Sequence, residues 1–181
     1  MPRLIDRDLR TADLVVGVNR VLATHGIPGL TMRMIARESG ISTGSLMHHF
    51  ETRERILRIA AHRTGRTLIS AAESDSLWIG LDAFLPSDEE TKRLTRAWLA
   101  WCELWRSAPW LEATVTDLRW RERRALAELH EVQPEDPRLD TVVVVLDGLR
   151  GAVCAPVSAM CVDRAQDLLR TVSAAVLSRP Q

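Results

Sequence analysis

The chain has 181 residues, 46% of them hydrophobic, and 24 basic side chains against 24 acidic ones, for a formal net charge of zero. That length and apolar content suffice to bury a core in one large or two small domains, so no disulfide framework is needed. The cysteines Cys102, Cys154 and Cys161 are odd in number and lack CxxC spacing, which argues against a zinc site and reads as small buried hydrophobes of a reducing compartment. The opening MPRLIDRDLR has no signal-peptide core, and no window approaches the ~18 apolar residues of a membrane span. A cytoplasmic protein without a membrane partner is expected.

Charge is unevenly placed. Residues 1–64 hold ten arginines against six carboxylates and four of the five histidines, leaving 14 basic and 18 acidic residues for the rest. A basic front joined to an acidic rear points to a polyanion met by the front alone. Lys92 is the single lysine, and no function follows from that.

The chain reads as an all-α fold of about nine helices. The first spans roughly Arg7 to His25, with Leu14, Val15, Val18 and Leu22 on one face and Gly26 as its left-handed cap. Two short helices follow over about residues 31–50, then a longer one from near Thr52. A further short helix is expected over Ser76 to Leu85, stopped by Pro86. Ser87 through Glu90 is expected to form a capping box opening a helix to about Ser107. After Pro109 a stripe of Leu111, Val115, Leu118, Ala125 and Leu129 runs to about Glu131, apolar except at Glu122, and Pro134 and Pro137 impose a loop. Val142 to Val145 has strand propensity, yet Leu146, Leu149 and Val153 follow at helical spacing, so a buried helix is expected over about Leu139 to Cys154. Asp163 to Gln166 is a second expected cap, leading to a helix with Ala165, Leu168, Leu169, Val172 and Val176 on one side.

Within residues 31–50, Thr31 caps a helix carrying Ile35 and Ala36, Ser39-Gly40-Ile41 makes a tight turn, and Ser42 caps a second helix with Leu46 and Phe50 inward. This is a helix-turn-helix, whose apolar contacts push the second helix out as a ridge that fits a major groove. Thr43, Ser45, His48 and His49 face outward on that ridge, where hydroxyls and imidazoles can donate to phosphates or base edges. A metal at His48 and His49 is not expected, because helix neighbours diverge by about 100° and chelation favours a spacing of four.

The block Gly26-x-x-Gly29-Leu30-Thr31-x-x-x-Ile35-Ala36-x-x-Ser39-Gly40-Ile41-Ser42-x-Gly44-Ser45-Leu46-x-His48-His49-Phe50-x-x-Arg53-Glu54-x-Ile56-Leu57 resembles the amino-terminal signature of TetR-family repressors. The resemblance covers about residues 9 to 60. It implies homodimers of nine-helix protomers, no catalysis and no cofactor, double-stranded operator DNA as partner, and a rear domain that binds a small effector and releases DNA. It divides the chain into a DNA-binding domain, 1–51, and a ligand-binding and dimerisation domain, 52–181. Carried over by position, it makes Thr43 and Ser45 base or backbone contacts, His48 a base-reading position, His49 a phosphate contact, and Arg33 and Arg53 backbone contacts. The DNA-facing set is then Arg33, Ser42, Thr43, Ser45, Met47, His48, His49 and Arg53. Met47 stands where the family usually has tyrosine; it faces either the sugar-phosphate rail or inward beside Phe50.

Five of the six tryptophans lie between Trp98 and Trp120. Trp98, Trp101, Cys102 and Trp105 share one helical face, and with Trp120 and Glu122 they are the expected effector-binding residues, suited to an apolar or cationic ligand. The other reading of the same rings is inter-helix packing. The segment from Arg96 through Trp120-Arg-x-Arg to Leu146-Asp147-Gly148-Leu149 is similar to the TetR-family branch that includes the choline-responsive betaine-operon repressor. On that resemblance Leu146, Leu149, Val153, Leu169 and Val172 are expected at a dimer interface, although a single-chain core would use the same residues. Two other functions remain open: a small helical enzyme or carrier, against which stands the lack of a nucleophile with a positioned base or a glycine-rich phosphate loop, and a protein that coats DNA without an effector.

Overall fold

A computed structural model of the chain describes residues 3–72, 80–155, 157 and 160–177. Among the described residues there are eight α-helices and no strand: α1 (Arg3–His25), α2 (Met32–Ser39), α3 (Thr43–Phe50), α4 (Arg53–Ala72), α5 (Glu89–Leu104), α6 (Glu112–Leu129), α7 (Arg138–Cys154) and α8 (Val162–Leu177). The first helix begins at Arg3, a turn before the expected Arg7. Of the short helix expected over Ser76 to Leu85, residues 76–79 lie outside the described residues, and Leu81–Phe84 is a 3-10 turn. The contacts divide the chain into two compact units, Met1–Gly65 with Arg96–Val115, and Arg66–Thr95 with Thr116–Gln181.

In the first unit α1 packs on α2. Leu14, Val18 and Val21 are fully buried on one side of α1, at spacings of four and three, and Ile35 and Leu46 are fully buried on α2 and α3. The helices approach most closely at Gly17, where a Cβ would lie 2.6 Å from the Ser39 backbone nitrogen. Backbone cannot step aside as a flexible side chain can. Gly17→Ala is therefore expected to lower stability by about 2–3 kcal/mol, measured by urea unfolding; an unchanged midpoint would mean that α1 slides freely on α2.

In the second unit, Leu139, Val142, Leu146, Leu149 and Val153 bury one stripe of α7, and Ala165, Leu169 and Leu177 bury one stripe of α8. Val142 to Val145 is thus helical: burying Val142 at helical spacing with Leu139, Leu146, Leu149 and Val153 outweighs the lower helix propensity of the four valines. The α8 stripe is rotated from the expected one: Leu168 is 38% exposed and Val172 and Val176 are half-buried.

Two caps differ from expectation. At α5 the reciprocal pair is Asp88 and Thr91, not Ser87 and Glu90: the Thr91 N–H donates to Asp88 Oδ1 at 2.7 Å, and the Ser87 and Asp88 N–H groups each donate to Thr91 Oγ1 at 3.0 Å. The bond from the Thr91 backbone, with its hydroxyl, holds the Asp88 carboxyl below the usual carboxylate range. At α8 the helix already begins at Val162, so Asp163 sits inside the first turn and faces the helix dipole there.

Candidate nucleic-acid interface and the rear ionic cluster

The helix-turn-helix is built by local chemistry. Met34 N–H donates to Thr31 Oγ1 at 3.2 Å and Ser45 N–H to Ser42 Oγ at 3.1 Å, so both helices start at hydroxyl caps, as the sequence predicts. Gly40 takes φ 69°, a left-handed conformation that a side chain would strain, and this lets α2 stop and α3 leave at once. Buried Leu46 and Phe50 anchor α3.

The opposite side of α3 is open. Ser42, Thr43, Met47 and His48 are exposed, Ser45 and His49 half-buried, and Arg33 and Arg53 exposed on α2 and α4. Met47 is 44% exposed, so it does not pack inward beside Phe50. Arg53 has a second task, since its Nη2 donates to the Leu30 carbonyl at 2.9 Å and ties the start of α4 to the residue before the α2 cap. His49 also has a partner: Arg10 of α1 donates from Nη1 to His49 Nε2. The His48 and His49 rings meet edge to face with centroids 5.2 Å apart.

The rear candidates fall in both units. In the first, Trp98 and Trp101 are 2% and 0% exposed, Cys102 is half-buried, and Trp105, just past α5, is 37% exposed. In the second, Trp120 is 43% exposed and lines a cleft of about 250 Å³ with Thr116, Arg119, Arg123 and Val143. The Arg123 head is spent on the Pro134 and Asp136 carbonyls and on Asp140, so that cleft offers mainly apolar surface. A wider cleft of about 560 Å³ runs along residues 130–138 to Leu177. Burial holds the His130 imidazole at its edge below the usual histidine value.

Glu122 is 2% exposed, and its charge is met from within the chain. Arg150 Nη1 donates to Oε1 at 2.5 Å and Arg119 Nη1 to Oε2 at 3.0 Å, while Arg119 also grips Asp147 with two bonds of 2.8 and 2.7 Å. Arg150, itself 2% exposed, donates through Nε to the Phe84 carbonyl at 2.8 Å. Burial alone would raise the Glu122 carboxyl; the charges of Arg150 and Arg119 and the bonds they donate outweigh it and hold it below the usual range. Sequence reasoning singled out Glu122 but missed Arg119, Asp147 and Arg150 as its network. The available signal was a charged residue on each of two apolar helix stripes.

The expected interface residues Leu146, Leu149, Val153 and Leu169 lie in the core between α7 and α8, at 0, 7, 8 and 0% exposure. Val172 is half-buried. Among the described residues no group of three His, Cys, Asp or Glu side chains is placed to hold a metal, and no helix is long and apolar enough to cross a membrane.

A helix-turn-helix with an open second helix, in an all-helical chain, is the architecture of a DNA-reading unit. Residues 17–59 match the bacterial regulatory proteins of the TetR family, a match that lies within the amino-terminal part of the chain. It is 29% identical over 110 residues to the transcriptional regulator PksA of Bacillus subtilis, covering 55% of this chain and 53% of that one. It is 28% identical over 110 residues to BetI of Burkholderia mallei, covering 55% and 56%. The chain thus spans about half the length of the curated relatives it matches. The whole fold is similar to a transcriptional regulator from Rhodococcus sp. Rha1, with TM-score 0.81, 20% identity and coverage of 92% and 95%. It is also similar to a transcriptional regulator from Saccharomonospora viridis in complex with choline, with TM-score 0.75, 18% identity and coverage of 90% and 94%.

Proposed function

We propose that this protein is a cytoplasmic DNA-binding repressor that leaves a palindromic operator when a small apolar or cationic effector binds its rear domain. The observation that carries this reading is the open face of α3, where every exposed side chain except Met47 is polar, on a helix that starts at the Ser42 cap next to the Thr31-capped α2 inside the segment that matches the TetR family. In functional terms residues 1–51 read DNA and residues 52–181 bind effector and partner. Arg33, Ser42, Thr43, Ser45, Met47, His48, His49 and Arg53 form the DNA-facing set. Of the candidate effector contacts, Trp105 in the first unit and Trp120 in the second each expose ring surface, whereas Trp98 and Trp101 are core and Cys102 is half-buried; a quaternary ammonium such as choline is the first candidate, by analogy with the Saccharomonospora viridis regulator. Glu122 is spent on Arg150 and Arg119 and offers no bare carboxylate to a cation.

A footprint on promoter DNA beside the gene tests the reading. A protected inverted repeat, with half-sites about one helical turn apart, supports it; diffuse coverage selects a coating protein, and no protection a helical enzyme or carrier. Choline, read by tryptophan quenching, should weaken operator binding. Coupling of this kind amounts to about 1–3 kcal/mol and is reciprocal, so operator DNA must weaken choline binding by the same factor. Quenching with an unchanged operator Kd would defeat effector release by choline.

Because Met47 is exposed, Met47→Tyr is expected to tighten DNA binding by about 0.5–1.5 kcal/mol per half-site, equally for operator and random duplex, since phosphates carry no sequence. A neutral hydroxyl releases no counterion, so the slope of log K against log salt should stay that of wild type. Weaker binding with a lowered Tm would mean that this face of α3 does not meet DNA.

A further inference from the structure

Arg10 lies 39 residues before His49 and reaches the recognition helix from α1. A guanidinium carries five N–H donors and no acceptor, so their contact fixes the roles of both groups. Arg10 Nη1 donates, and His49 Nε2 must offer its lone pair. In the neutral ring this contact leaves the proton on Nδ1, the form that an unconstrained imidazole populates less. Among the described residues no hydrogen bond engages His49 Nδ1, and that atom is not sealed in the core.

We propose that Arg10 and His49 form one backbone-phosphate site, in which Arg10 holds His49 as the Nδ1–H tautomer and so aims that N–H at a DNA phosphate oxygen. Arg10 is a positioning residue in this arrangement: it acts through His49, and its positive charge strengthens the local field for the same anion. The contact ties α1 to α3, so the pose of the phosphate donor depends on the seating of α1. The proposal rests on the DNA-binding reading above and adds a residue that the helix-turn-helix pattern does not contain.

The test uses the full chain, a random-sequence duplex as the phosphate probe, and imidazole nitrogen NMR on 15N-histidine-labelled protein in the neutral state. Wild-type His49 is expected as the Nδ1–H form. Arg10→Met should return it to the Nε2–H form and weaken duplex binding about ten-fold, the scale of a lost hydrogen bond in each half of a dimer. Arg10→Lys keeps a cationic donor and should restore both readouts, which a merely structural role for Arg10 would not link. An Nε2–H wild-type ring overturns the proposal without any variant. An Arg10→Met protein that melts normally and binds the duplex as tightly as wild type also overturns it, while leaving DNA binding intact. Wild-type protein that binds no duplex at all removes the DNA-binding reading and the phosphate site together.

Discussion

Arg150→Met is expected to cost about 3–5 kcal/mol of folding stability, the usual penalty for removing one partner of a buried ion pair. Methionine matches much of the arginine stem but leaves Glu122, 2% exposed, with Arg119 alone, and it orphans the Phe84 carbonyl that Arg150 Nε now satisfies at 2.8 Å. The double variant Arg150→Met with Glu122→Gln should recover part of this loss, because no unpaired charge then remains buried. Urea unfolding of the two single variants and the double variant measures the coupling; losses under about 1 kcal/mol in Arg150→Met would show that water reaches the pair. The sign of the pH dependence follows from the Glu122 carboxyl, which is held below its ordinary value of 4.5 in the folded chain. Its stabilisation is fully present above that ordinary value and is lost as pH falls through the lower folded one. Acid unfolding of wild type should therefore steepen below about pH 4.5, and Glu122→Gln should flatten that limb.

A second large effect is expected at α7. Thr141, Val144, Gly148 and Gly151 recur at spacings of three and four along its exposed face, and Val144 is 69% exposed. A glycine inside a helix costs about 1 kcal/mol relative to alanine, and a Cβ added at Gly148 or Gly151 would meet nothing within 4 Å among the described residues. Among the described residues nothing packs against either glycine. A second copy approaching this face would, because small residues let two helix backbones come together, and 38%-exposed Leu168 on α8 would add apolar surface to such a contact. The homodimer contact is accordingly expected on this outer face and not through Leu146 or Leu169, which at 0% exposure have no surface left to give. Gly148→Leu combined with Gly151→Leu should weaken dimerisation at least 100-fold in sedimentation while the isolated chain melts no lower, since leucine is the better helix former. If this doubly substituted chain stays dimeric at the same concentration as wild type, the interface lies elsewhere. If wild type is monomeric and both Gly→Ala variants simply gain about 1 kcal/mol each, the face belongs to solvent.

The sequence by itself determined what local chemistry controls. Thr31 and Ser42 as caps, Gly40 as the left-handed turn and Leu46 with Phe50 as inward anchors all act within a few residues, so the helix-turn-helix was legible to within a residue. The helical reading of Val142 to Val145 also held, because periodicity over four turns outweighs a four-residue propensity. Even short-range signals blurred where two caps were chemically equivalent: Ser87, Asp88, Glu90 and Thr91 offer overlapping pairs three residues apart, and only the packed register of α5 chose Asp88 with Thr91. Long-range partners belong to tertiary structure alone. Glu122 stood out on an apolar stripe, yet that it meets Arg150 of α7, and that Arg150 also holds Phe84, depends on how three segments distant in sequence pack. The same holds for Arg10 with His49 across 39 residues and for Arg53 with Leu30 across 23. A residue's neighbours within one turn are set by helix geometry, whereas its partners from other helices are set by which faces the core selects. That selection is a property of the whole fold, and it decided which charges here are buried and paired and which face of α7 stands open.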